Sequence, residues 1–223
     1  MDPLTYARDG AQLYAAALDG TALRFIEDTL ADVPQGQAGV RLHGVPALRP
    51  ALAADGAVGR VAASVLGLAC RAVRAVLFDK TAAANWALAW HQDRTVAVTE
   101  RRDVPGFGPW TRKAGLLHVA PPATVLEGMV TLRVHLDSVP AGNAPLLVAP
   151  GSHRLGRIPE AEVPGVVARC GTSACLAAPG DVWLYATLIL HASEAAAVPA
   201  RRRVLQVDYA ACELPGGLRW LGV

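Results

Sequence analysis

From residue 72 onward the chain consists of short runs of Val, Leu, Trp and Thr broken by glycine and proline, and this texture constrains the fold more than any other feature. The runs fall at 72–78, 86–98, 116–119, 129–136, 146–149, 175–177, 182–190 and 203–209. Apolar, β-branched and aromatic segments of that length, punctuated by turn residues, predict an antiparallel β core. Two helices are expected before it. Asp19 reads as an N-cap, with Leu23, Ile26, Leu30 and Val33 recurring behind it at helical spacing until Pro34. A second helix, about 56–69, would place Val58, Val61, Val65 and Leu68 on one face. The expected architecture is mainly β with flanking helices: a double-sheet jelly roll, cupin-like, forming one domain over 1–223. Within it a helical buttress would occupy about 19–69 and the β core about 72–210.

Composition narrows the function. Hydrophobic residues at 52% and charged residues at 18% exclude a disordered chain. The apolar run 182–190 is too short to cross a bilayer. The first thirty residues include Asp2, Asp9 and Asp19 and lack the basic start and apolar run of a signal peptide. A net charge of +2 offers no field for nucleic acid. A cytoplasmic protein is expected, with neither membrane nor nucleic acid as partner and with Cys70, Cys170, Cys175 and Cys212 reduced.

Chemistry must come from the six histidines and what stands beside them. Two have a carboxylate two residues later: His91-Gln92-Asp93 and His135-Leu136-Asp137. On a strand, residues i and i+2 share a face, so each pair could present an imidazole and a carboxylate together. One further histidine would complete a two-histidine, one-carboxylate triad, which leaves positions open on iron(II) for a co-substrate and dioxygen. The first pair leads into a long Gly/Pro loop, where an open site is plausible. The second runs into Ser-Val-Pro-Ala-Gly-Asn, where Asp137 would cap a turn. The first pair is therefore favoured.

Phe78-Asp79-Lys80, Trp90-His91-Gln92-Asp93, Asn143-Ala-Pro-Leu146, Pro150-Gly-Ser-His153-Arg154, Pro179-Gly-Asp181, His191-Ala-Ser193 and Arg202 follow one another in order. This series resembles the phytanoyl-CoA dioxygenase family of iron(II)/2-oxoglutarate oxygenases, whose fold is a double-stranded β-helix. The resemblance implies that His91, Asp93 and His191 are the iron ligands, with the two histidines at opposite ends of the barrel sheet. It also implies that Ser193 and Arg202 hold 2-oxoglutarate. The implied activity is oxidation of a small-molecule substrate by dioxygen, with hydroxylation of a C–H bond and release of succinate and CO2. Relatives that halogenate have a small residue in place of the carboxylate, so Asp93 argues for a hydroxylase. The family usually has Asn-Gly where Asn143-Ala144 stands, a departure expected to concern a turn and to leave the iron site untouched. Two alternatives use the same His/Asp/His site: a non-catalytic cupin-like binding protein and a zinc hydrolase.

Several expectations remain for the structure to judge. The segment 99–115 reads as a mobile loop that closes over the site, basic through Arg101, Arg102, Arg112 and Lys113, and attractive to a carboxylate or phosphate. Trp86, Trp90, Phe107 and Trp110 are expected in the core rather than as a substrate clamp. His153 is expected to pack or brace a turn, and His118 either lines the cavity or sits in the core. Of three consecutive arginines, hydrophobic alternation on 203–209 buries the face of Leu205, Val207 and Tyr209 and would send Arg202 to solvent. The family spacing instead turns Arg202 inward.

Overall fold

The structure, a computed structural model, describes residues 2–34, 37 and 39–223. The described residues form strands β1 (Ala11–Tyr14), β2 (Val40–Leu42), β3 (Arg71–Lys80), β4 (Leu88–His91), β5 (Val96–Ala97), β6 (Trp110–Lys113) and β7 (Leu116–Val119). They continue with β8 (Met129–His135), β9 (Leu146–Val148), β10 (Ser173–Cys175), β11 (Val182–Ala186), β12 (His191–Ser193) and β13 (Arg202–Ala210). A six-stranded sheet runs β1-β11-β8-β13-β3-β2, a four-stranded sheet β10-β9-β12-β4, and a small sheet β5-β7-β6. Every named pairing is antiparallel. The predicted jelly-roll core is present, and it begins earlier than residue 72, since β1 and β2 join the large sheet.

The large sheet is covered on both faces, which explains its sequence. Alternation sends Leu205, Val207 and Tyr209 of β13, Leu132 and Val134 of β8, and Ala75 and Leu77 of β3 to one side. There they pack against Ile26, Leu30, Leu48, Leu52, Val58 and Val61 of the helical segments. The first of these helices, Gly20–Thr29, starts where the Asp19 carboxylate accepts from the Thr21 and Ala22 amides at 3.0 and 2.8 Å. Such a cap is worth about 1 kcal/mol. Arg203 ties this helix to the barrel, reaching Glu27 and Asp137 at 2.7 Å each. The Tyr209 hydroxyl donates to the Leu52 carbonyl at 3.0 Å. The opposite face of β3, β8 and β13 points Arg74, Val76, Phe78, Arg133, Arg202 and Gln206 toward the four-stranded sheet, across a cavity of 540 Å³.

Other segments depart from expectation. The run 86–98 divides into β4 and β5, and 182–190 leaves the sheet after Ala186. The presumed loop 99–115 contains a four-residue strand, because β6 lies within it and pairs with β7 from Trp110↔Val119 to Lys113↔Leu116. Phe107 and Trp110 pack with Val96, Val98, Leu126 and Trp220 in a second core, and Trp90 packs beside Ile158 and Val163. His118 is fully buried and outside the cavity lining. His153 braces a turn: a Cβ on Gly10, whose φ is +76°, would fall 2.2 Å from its Nδ1. All four cysteines are free. Among the described residues no helix is long and apolar enough to cross a membrane.

Candidate active site

His91 is the last residue of β4 and His191 the first of β12, and the two stand directly opposite each other on the β4–β12 ladder. Their ring centroids are 4.2 Å apart. They are neighbours on paired strands, not residues at opposite ends of a sheet. Each ring is oriented by its own backbone: His91 Nδ1 donates to the Ala89 carbonyl at 2.7 Å and His191 Nδ1 to the Ile189 carbonyl at 3.0 Å. With the proton fixed on Nδ1, Nε2 of each ring keeps its lone pair, the tautomer required of a metal ligand. Burial, reinforced by His91, pushes His191 down to about 4, so it is neutral near pH 7.

Asp93 follows two residues after His91, beyond the strand end. Burial would raise its carboxyl, but Arg74, then His191 and His91, hold it well below the usual carboxylate range. Arg74 Nη2 lies 3.4 Å from Asp93 Oδ2, while Arg74 Nε reaches Asp208 Oδ2 at 2.5 Å. Among the described residues no three His, Cys, Asp or Glu side chains are gathered closely enough to hold a metal ion as they stand. The Asp93 carboxylate leans on Arg74 instead. In chemistry the donors suit a divalent metal: two imidazoles whose Nδ1 atoms are engaged by backbone carbonyls, and one ionised carboxylate.

Between the two site residues, Gln92 turns the other way and bolts the end of β4 in place. Its Nε2 donates to the Leu188 and Gly156 carbonyls at 2.6 and 2.8 Å, and its Oε1 accepts from the Ile158 amide at 2.8 Å. His91 and Asp93 thus project from a fixed segment.

Arg202 opens β13, is 2% exposed, and lines the cavity with Ser193 and Gln206. The family spacing holds and the solvent-facing expectation from alternation fails, because the face of Leu205, Val207 and Tyr209 is buried under helices and the face of Arg202 is buried in the barrel as well. Burial, with the Arg133 charge beside it, pulls the Arg202 guanidinium down to about 9. Its Nη1 donates to the Ala144 carbonyl and its Nε has no partner. Ser193 Oγ lies 3.5 Å from the same carbonyl. The Asn143-Ala144 turn therefore touches Arg202 and Ser193 rather than His91, Asp93 or His191. Ala144 holds a φ of +50°, a conformation that favours glycine.

Several polar lining residues were missed from the sequence, among them Arg41, Arg74, Arg94 and Arg133. A signal for one was present, since Arg74, Val76 and Phe78 alternate on a strand where an arginine interrupts an apolar run. Arg133 Nη1 donates to Gln206 Oε1 at 3.0 Å and its guanidinium lies 5.3 Å from the Phe78 ring centroid. Trp86 lines the cavity, against its expected core role, and Lys80 lies over its ring at 5.0 Å. The second pair is elsewhere: His135 is buried with neither ring nitrogen partnered, and Asp137 receives the Arg203 amide at 2.7 Å.

A double-stranded β-helix enclosing two facing histidines, a carboxylate and a buried arginine defines a cupin-like protein with a polar cavity. The phytanoyl-CoA dioxygenase profile matches residues 46–204, and the chain belongs to that family. No curated protein matches the sequence. Among solved structures, EctD from S. alaskensis in its apoform is similar with a TM-score of 0.67 at 21% identity, over 98% of this chain and 78% of that one. The epimerase SnoN from nogalamycin biosynthesis gives 0.64 at 17% identity, over 95% and 87%. HygX from Streptomyces hygroscopicus, with nickel and 2-oxoglutarate bound, gives 0.61 at 16% identity, over 92% and 84%.

Proposed function

We propose that the protein is an iron(II)- and 2-oxoglutarate-dependent oxygenase that hydroxylates a C–H bond of a small organic molecule. The observation that supports this best is one cavity holding the His91–His191 rung, the ionised Asp93 and the buried Arg202. His91, Asp93 and His191 would hold the iron, while Arg202 and Ser193 would hold the far carboxylate of 2-oxoglutarate. When bound, iron and 2-oxoglutarate supply the oxidising chemistry, with dioxygen as co-substrate and succinate and CO2 as by-products. Family membership and the ligands named for HygX support the same cofactors.

The chain's own residues make four contributions. Backbone carbonyls at Ala89 and Ile189 keep the imidazole protons on Nδ1. Arg74 keeps Asp93 ionised without supplying a proton. Arg202, already stripped of water, offers a dicarboxylate a charge-assisted bond whose desolvation cost was met on folding. Phe78, Trp86 and Leu88 wall the cavity and displace bulk water from it. Asp93 fills the position a halide would need, which favours hydroxylation over halogenation. The cytoplasm is the proposed compartment, in keeping with four free cysteines.

The test is anaerobic loading with iron(II) and 2-oxoglutarate, followed by oxygen and a screen of small molecules read as succinate. A product heavier by one oxygen atom supports the reading. Unchanged mass with an inverted centre would replace hydroxylation by epimerisation, the reaction named for SnoN. Tightly bound zinc with no 2-oxoglutarate turnover would overturn the oxygenase.

A further inference from the structure

Six basic side chains line the cavity, Arg41, Arg74, Arg94, Lys113, Arg133 and Arg202, against one lining carboxylate among the described residues, Asp93. Two of the six are matched within the fold. Arg74 sits between Asp93 and Asp208, and Arg94 meets the Ile158 carbonyl at 2.6 Å and Glu160 at 3.4 Å. Arg202 and Arg133 form a deep pair, each with an Nε that has no partner. A single dicarboxylate anchored at Arg202 answers that pair. It leaves Arg41 and Lys113 without an ion pair of their own, Lys113 sharing only the field of Asp93.

These two belong to a separate cluster. Arg41 lies on β2, opposite Val76 of β3, and its buried Nε makes no hydrogen bond. Lys113 ends β6, and its Nζ reaches Thr95 Oγ1 at 2.8 Å, which leaves two of its three N–H donors. Burial and the Arg74 charge both act against the charge on Arg41; burial, Arg74 and Arg41 act against that on Lys113, which the Asp93 carboxylate offsets only in part. Along β3, Arg41 stands opposite Val76 and Arg202 opposite Lys80, four residues further on, while Lys113 is held at Thr95, two residues past Asp93. Three like charges in a half-buried wall repel one another, and an anion placed among them offsets that repulsion. The remaining basic residues of the 99–115 segment point elsewhere: Arg101 over the Trp110 ring at 5.5 Å, Arg102 to Glu100 at 2.6 Å and Arg112 to the Gly115 carbonyl at 3.0 Å.

We propose that the substrate, on the oxygenase reading above, bears an anionic group, carboxylate or phosphate, that binds between Arg41 and Lys113. The cavity of 540 Å³ suits a small molecule held at one end by this pair, with its reacting carbon directed toward the His91–His191 rung. The anion fixes orientation here, since one charged anchor in a largely preformed cavity sets which carbon faces the oxidant.

The test is calorimetric titration of the nickel-loaded protein, saturated with 2-oxoglutarate, with benzoate, phenyl phosphate and neutral benzamide. At least one anion should bind about tenfold or more tighter than benzamide, the scale of one charge-assisted hydrogen bond, and the tighter anion identifies the group. Arg41→Gln and Lys113→Met should each weaken that anion about tenfold or more while 2-oxoglutarate affinity stays within about twofold. Lys113→Arg should restore anion binding, and Arg202→Ala should show the reverse pattern. Benzamide binding as tightly as the anions, or unchanged anion affinity in both variants, would overturn the proposal. Nickel and 2-oxoglutarate failing to bind while anions still respond to Arg41 and Lys113 would overturn the oxygenase reading and leave the anion site standing.

Discussion

The two His-x-Asp pairs occupy the same local structure and differ in everything around it. His91 ends β4 and His135 ends β8, so each aspartate lies just past a strand terminus. Each aspartate also has an arginine: Arg74 for Asp93, and Arg203 for Asp137. The histidines part company. His91 faces His191 across a ladder rung, with one nitrogen held by a carbonyl and the other free at a cavity. His135 faces Val204, and neither of its nitrogens has a partner or an opening. A three-residue motif therefore says little about chemistry until the residue across the sheet is known.

The largest effect expected is on metal binding. Loss of His91, Asp93 or His191 to alanine should lower metal affinity by about a hundredfold or more, above the 10–100-fold typical of outer-shell losses. His135→Ala should bind metal as the unaltered protein does. Metal content of the purified variants decides it, and iron lost from His135→Ala but kept by His91→Ala would reverse the comparison.

The arginines sharpen it next. Arg202→Ala should raise the apparent 2-oxoglutarate constant by at least about tenfold, corresponding to 1.4 kcal/mol. Arg203→Ala should leave that constant alone and instead cost about 1–3 kcal/mol of stability, because Asp137 and Glu27 lose their partner. Equilibrium urea unfolding alongside 2-oxoglutarate titration separates the two effects. A large 2-oxoglutarate effect from Arg203→Ala would be incompatible with the register described.

Acid should expose the cost of the second pair. Burial, with the charges of Arg133 and Arg202, pushes His135 down to about 3. Between that value and an unfolded value of about 6.5, the unfolded chain takes up a proton that the folded chain refuses. Stability therefore falls as pH drops through this window, by up to about 1.4 kcal/mol per unit from this group. His135→Leu should remove that share, on the order of 1–2 kcal/mol between pH 7 and pH 5, in urea unfolding at the two values. An unchanged pH dependence would mean that His135 finds a proton or a partner in the folded state.

The smallest effect concerns the turn beside Arg202. Ala144→Gly should stabilise by roughly 0.5–1 kcal/mol, since Ala144 holds a positive φ. Thermal melting reads it, and destabilisation would show that the alanine methyl contributes packing that outweighs its backbone strain.

How much of this was legible differs by kind of residue. The helix cap at Asp19 and the apolar face of β13 could be read because each depends on neighbours along the chain. The barrel's inner face could not be read in full. Arg41, Arg74 and Arg133 look like ordinary strand interruptions until a second sheet closes over them and removes their water. Arg202 looked contradictory from hydrophobicity because alternation assumes one wet face, and β13 has none. The 99–115 segment misled because glycine and proline mark turns without saying how much strand lies between them, and β6 fits inside.

The position of β13 has a consequence for how the molecule is assembled. It is the last strand of the large sheet along the chain, yet it lies at the sheet's centre, between β8 and β3. Until residues 202–210 emerge from the ribosome, β3 and β8 are open edges, each displaying a row of unsatisfied amides and carbonyls. The same strand brings Arg202, Gln206 and the Asp208 that anchors Arg74. A nascent chain thus holds two unfinished half-sheets and no complete cavity, and the final strand closes the sheet and equips the site in a single event.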